Sequence, residues 1–217
     1  MIGQNIKKLL GELPPGVVLV AVAKGRTPSE VLQAVRAGAK IIGENYVQEA
    51  ECACEMVGRQ AAWHLIGHLQ KNKVKKAVRL FDLIQTVDSL ALACEIDRRS
   101  AEIGKVMPVL IEINSGCEPQ KSGVLPEDAP ILAREMGKLK NVHLAGLMTI
   151  GPYSPCPEDL RPYFARTRAL FDYLASLHLT GGEMQHLSMG MTDSYRIAIE
   201  EGANMVRIGT AIFGART

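Results

Sequence analysis

The feature that most constrains this chain is an alternation. Short, strongly apolar runs rich in Val, Ile and Leu take turns with longer segments of helical amphipathicity. The first run, residues 17–23, reads Val-Val-Leu-Val-Ala-Val-Ala, with no polar position to face water. Such a run is expected of a strand buried on both faces of a parallel sheet. Behind it, Thr27, Pro28 and Glu30 supply an N-cap, a first helical position and the returning carboxylate of a capping box. That helix is expected to end at Gly38. Further strands are predicted at 40–43, 63–67, 83–87, 108–114, 144–150, 184–188 and 205–209. Helical patterns separate them at 46–57, 74–79, 89–103, 127–139, 158–177 and 192–201, and a short amphipathic helix, 2–10, precedes the series. Strict strand–helix alternation implies a parallel sheet with crossovers. Eight such units in 217 residues close into a (β/α)8 barrel more readily than they form an open sheet. No Ser- or Gly-rich linker divides the chain, so one domain spanning 1–217 is expected.

Composition narrows the class of partner. The hydrophobic share is 47%, enough for one large core, and the net charge is +2, which gives no bias toward nucleic acid. The one basic run, residues 71–76, reads as a solvated helix start. The longest purely apolar stretch, 17–23, is too short to span a bilayer, and the N-terminus lacks the apolar core of a secretory signal. Five cysteines without framework spacing agree with a cytoplasmic chain, and no metal-ligand pattern is present.

In an α/β barrel the chemistry sits at the C-terminal ends of the strands. Those positions deliver Lys24, Glu44 and Asn45, His68, Asp88, Asn114, Thr149, Ser188, and the run Arg207-Ile208-Gly209-Thr210. By period two, Lys24 continues the row Val18, Val20, Val22 into the barrel mouth. Position alone leaves two readings open. One is an amine desolvated into a nucleophile for carbonyls; the other is a strand-end lysine snorkelling to water. Arg207 stands inside an apolar strand, where a charge is costly without a partner. The loops after strands seven and eight form a phosphate candidate. Ser188 and Thr210 offer hydroxyls, while Gly190 and Gly209 allow close backbone approach.

These residues fall in motifs that resemble the pyridoxal-phosphate homeostasis proteins (the YggS/PROSC family), whose fold is the alanine racemase barrel. The matching stretches are Ala21 to Lys24, Gly43 to Glu49, Trp63 to Lys73, Asn114 to Gly123, Gly146 to Ile150, Leu187 to Met191, and Met205 to Gly214. They run in family order along nearly the whole chain. The resemblance implies that Lys24 forms a Schiff base with pyridoxal 5′-phosphate (PLP). It further implies that Ser188, Gly209 and Thr210 help hold the phosphate, that Arg207 faces the pyridine nitrogen, and that Asn45 lines the pocket near the ring. Many relatives carry Ser before the lysine and Thr after it, whereas this chain has Ala23 and Gly25.

An arginine beside the pyridine nitrogen disfavours its protonation and weakens the ring as an electron sink. Alanine racemases keep such an arginine but add a second base from a further β domain. This chain ends at Thr217, and the expectation is that it lacks that domain. The first reading is therefore a protein that holds, buffers or delivers PLP, with PLP-dependent apo-enzymes as partners, and a monomer. The alternative is a PLP-dependent amino-acid racemase or related enzyme, with Tyr46 or His68 as the base.

Overall fold

In the computed structural model, which describes residues 1–179 and 181–215, eight parallel strands pair in sequence order and the eighth returns to the first. The strands are β1 Val18–Val22, β2 Ile41–Glu44, β3 Ala62–Leu65, β4 Leu83–Val87, β5 Met107–Ile113, β6 Val142–Thr149, β7 Gly182–Ser188 and β8 Met205–Ile208. Around them run α1 Ile2–Glu12, α2 Pro28–Arg36, α3 Val47–Val57, α4 Val74–Leu80, α5 Leu90–Ala101, α6 Ala129–Met136, α7 Arg161–Ser176, α8 Tyr195–Glu200 and α9 Thr210–Phe213. The expected (β/α)8 barrel with a leading helix is the fold observed.

Alternation along the strands sorts side chains into two cores, except along the first part of β7, where Glu183 and Gln185 are exposed. Val20, Leu83, Leu110, Met148 and Met205 fill the barrel interior, joined by Val18, Val22 and Ile41. The opposite faces supply Ile42, Trp63, Ile84, Ile111, Val206 and Ile208 to the layer under the helices. A strand covered on both sides has no polar face, which is why the sequence shows runs rather than alternation.

Local signals place the helix ends. At α2 the Thr27 backbone N–H donates to Glu30 Oε2 at 2.8 Å and the Glu30 N–H donates back to Thr27 Oγ1 at 3.3 Å. Helix α8 is shorter than predicted. Residues 191–194 form the loop leaving β7, with the Ser194 and Tyr195 amides donating to the Met191 carbonyl, so the helix begins three residues late. A short α9 follows β8, which the hydrophobic pattern did not announce. Gly146 has φ +148°, and a Cβ there would lie 1.9 Å from the His186 carbonyl oxygen. The β6–β7 register shifts at this point, so the close approach of the two backbones requires glycine.

Candidate functional site

The C-terminal mouth of the barrel opens into two adjoining cavities that share Asn45, Ile66 and Ile150 as their common wall. One, of about 280 Å³, is lined by Lys24, Arg26, Asn45, Thr192, Arg207, Gly209 and Thr210, among others. Lys24 is half-buried, and its ammonium lies 5.5 Å from the centroid of the Tyr46 ring. Tyr46 is the N-cap residue of α3 and largely exposed, so it overhangs the lysine rather than packing the helix. The loop after Lys24 is pinned by the Gly25 N–H, which donates to Glu49 Oε2 at 3.0 Å. Gly25 has φ +69°, a conformation a threonine would adopt only with strain.

Arg207 is 3% exposed and points inward from β8. Its guanidinium donates to Ser188 Oγ and to the Thr149 carbonyl, both at 2.7 Å. The Ser188 hydroxyl in turn donates to Gln85 Oε1 at 2.7 Å. The Gln85 amide contacts His64 Nδ1 at 3.0 Å, on the far wall of the barrel. The Thr149 hydroxyl donates to the Ile113 carbonyl and meets Ser115 Oγ at 2.9 Å. Six strands or their immediate ends thus contribute to one buried polar belt. Burial holds the Arg207 pKa down to about 10, against a partial offset from Glu112, which leaves it a cation at neutral pH. Burial also lowers His64 to about 3, with His186 adding to the effect, so His64 is neutral and can accept the Gln85 donor.

Five of the seven residues expected at the cofactor site, Lys24, Asn45, Arg207, Gly209 and Thr210, line this one cavity. Ser188 does not line it: fully buried, it spends its hydroxyl on Gln85 and Arg207. Gly190 also stands outside that lining. At φ +91°, its missing Cβ would lie 2.6 Å from Ala198 Cβ and 2.8 Å from Tyr195 Cα, so glycine there serves the packing of α8. Thr192 does line the cavity, and its hydroxyl accepts the Ala211 N–H at 3.4 Å. Sequence reasoning missed it because the predicted helix began at 192.

The second cavity, about 350 Å³, is the larger one and does not contain Lys24. Its lining includes Glu112, His68, Asn114, Ser115 and Thr149. Glu112 is 7% exposed, and burial, reinforced by Asp88 and opposed by Arg207, raises its pKa to about 7. Its Oε2 has no hydrogen-bond partner among the described residues. His68 is exposed and lies 3.7 Å from Asp88, away from Lys24's cavity wall. Neither Gln85 nor Glu112 was singled out from sequence. Both sit at inward positions that only the strand register identifies.

The chain matches the alanine racemase N-terminal domain model over residues 1–217. It is 42% identical over 215 residues to the pyridoxal phosphate homeostasis protein of Aquifex aeolicus, covering 99% of this chain and 89% of that one. The chain belongs to the pyridoxal phosphate homeostasis protein family. A second member, from Escherichia coli K12, is 38% identical over 212 residues, with 95% and 88% coverage. PipY of Synechococcus elongatus, solved without PLP, superposes with a TM-score of 0.93 at 34% identity, covering 99% of this chain and 100% of that one. The same protein has been solved with PLP bound, and superposes with a TM-score of 0.90 at 33% identity, with the same coverage. An alanine racemase of Clostridium difficile shares the fold, with a TM-score of 0.77 at 18% identity over 99% of this chain and 58% of its own. In this chain the mouth with Lys24 at its edge is where the fold gathers polar and titratable groups.

Proposed function

We propose that this chain holds PLP reversibly on the Lys24 amine and buffers or delivers it inside the cell, without robust turnover. The observation that carries this reading is convergence. Lys24 after β1, Thr192 in the loop leaving β7, and Arg207, Gly209 and Thr210 at the end of β8 face one cavity of about 280 Å³. When bound, PLP supplies an aldehyde that condenses with a primary amine and a phosphate that seeks cationic and hydroxyl donors.

The donor set fits that group. Lys24 is a half-buried primary amine at the cavity wall. Thr192 and Thr210 supply hydroxyls at the side formed by the last two strand–helix loops, and Arg26, on the neighbouring loop after β1, adds positive charge to the lining. Asp193 also lines the cavity and opposes an anion, so Arg26 and the loop donors must outweigh it. Arg207 is fixed by two hydrogen bonds and stays a cation at neutral pH, so it would meet the ring nitrogen of bound PLP without giving it a proton. That arrangement favours storage over carbanion chemistry. PLP-dependent apo-enzymes as receivers, a monomeric state, a single domain and a cytoplasmic location belong to the same proposal. No helix among the described residues is long and apolar enough to cross a membrane.

Purified protein is expected to take up added PLP with a visible absorbance band that Lys24→Ala eliminates. Protein that remains colourless with excess PLP would overturn the reading. A catalytic alternative, an amino-acid racemase or related enzyme, draws on one observation, the Tyr46 ring 5.5 Å from the Lys24 ammonium. Chiral analysis of amino acids after prolonged incubation separates the two. Turnover abolished by both Lys24→Ala and Tyr46→Phe would favour the enzyme.

A further inference from the structure

The cavity beside the Lys24 site holds a buried acid with nothing to pair with. Glu112 points inward from β5, following Leu110, which packs in the barrel interior. It is 7% exposed and lines the 350 Å³ cavity, yet its Oε2 has no hydrogen-bond partner among the described residues. A buried carboxylate left unpaired is expensive, and the group protonates rather than bear the cost. Its charged neighbours do not relieve it. Asp88 repels it, and the attraction of Arg207 is the smaller effect. Arg207 itself spends donors on Ser188 and the Thr149 carbonyl. Lys121, the one lysine in the lining, is bound to the Glu118 carboxylate and the Gly151 carbonyl.

Much of the rest of the wall is aliphatic or already bonded, and Glu118, the other carboxylate in the lining, has Lys121 as its ion-pair partner. Ile66, Ile113 and Ile150 supply apolar surface. The Ser115 and Thr149 hydroxyls bond each other, and the Asn114 amide is held by its own loop. The guest such a cavity lacks is a hydrogen-bond donor with positive charge at the end of a methylene chain. We infer that this second cavity is a subsite for an aliphatic primary ammonium, of the kind carried by basic amino acids and diamines, with Glu112 as its counter-ion. The arriving cation restores the ionised carboxylate and gains a charge-assisted hydrogen bond away from bulk water. Asn45 borders both cavities, so the ammonium end lies next to, and apart from, the lysine chemistry.

L-lysine and L-norleucine differ chiefly in the terminal ammonium, which makes them the probes. Calorimetric titration of the PLP-free protein at about pH 8 is expected to favour lysine by about tenfold or more. Glu112→Gln should reduce that preference to near unity, while Lys24→Ala should leave it intact. Equal affinity for the two probes, or a preference that survives Glu112→Gln, would overturn the inference. If Glu112→Gln does not fold, wild-type protein decides the matter by pH. The groups facing Glu112 are Asp88, Arg207, His68 and the Lys121–Glu118 pair. The lysine preference should weaken between about pH 8 and about pH 6 as Glu112 protonates; a constant preference over that range rejects the subsite. Loss of PLP uptake with the lysine preference retained would refute the proposed function and leave the subsite standing.

Discussion

Gln85 is the residue on which the buried belt turns. Its carbonyl accepts from Ser188 and its amide reaches His64, so one side chain ties β3, β4 and β7 beneath the cavity floor. Ser188 then presents its oxygen to Arg207. Replacing Gln85 by Leu leaves the Ser188 donor and the His64 acceptor buried without partners, at a cost of about 1–3 kcal/mol each before relaxation. We expect Gln85→Leu to lower the urea midpoint and to weaken PLP uptake about tenfold, through a guanidinium no longer held in place. Unchanged uptake would mean that Arg207 keeps its position on Ser188 and the Thr149 carbonyl without the support of Gln85. Nothing in the sequence marks Gln85. It is one of two polar letters, with Thr86, inside β4, and its importance rests on what stands opposite. Lys24, by contrast, was legible, because parity along β1 put it at the mouth.

At the scale of elements, helix ends place the reactive loops. The capping box of α2 begins three residues beyond Lys24, and Arg26, between them, forms a 3.6 Å ion pair with Glu30 and donates to the Gly214 and Ala215 carbonyls. The cap therefore stiffens the Lys24 loop and ties it to the segment after α9. Thr27→Ala should cost about 1 kcal/mol, read as a lower denaturation midpoint with little change in the slope of the transition. The box was readable because its residues are local in sequence. The start of α8 was misread for the converse reason. Thr192 is a favoured N-cap residue, but the chain leaving β7 first folds back through the Ser194 and Tyr195 amides. In that loop the Thr192 hydroxyl, and not Ser188, lines the Lys24 cavity.

For the whole molecule, two buried acids and a buried imidazole set a pH profile. Glu44 is 1% exposed behind β2, and burial, with Glu49 adding repulsion, raises its pKa from 4.5 to about 8. Between those values the folded chain retains a proton that the unfolded chain has lost. Stability therefore falls as pH rises through that window, by at most about 1.4 kcal/mol per pH unit for one such group. Glu112 acts in the same sense up to about 7. His64 acts oppositely: depressed to about 3, it contributes stability above its unfolded value of 6.5 that is lost as pH falls. We expect thermal melts of Glu44→Gln to gain on wild type steadily from about pH 5 to about pH 8 and then to run parallel. Parallel curves across the whole range would show that Glu44 is ionised in the fold. No pattern of spacing predicts this behaviour, because desolvation depends on the α2–α3 layer covering β2.

The sequence by itself determined the barrel, its strand order, the mouth and the lysine within it. These follow from periodicity, caps and the parity of single strands, which are local properties that the chain carries in order. Tertiary structure alone decided which polar groups share a cavity and which are already spent. Ser188 and Thr192 are four residues apart, and only barrel closure sends one into the Gln85–Arg207 belt and the other to the cavity wall. Glu112 is similarly an ordinary strand residue until closure buries it against Asp88 with its Oε2 unpaired among the described residues. Hydrogen-bond partnership and desolvation are properties of pairs across the barrel. They exist only once strands far apart in sequence are brought within a few ångströms.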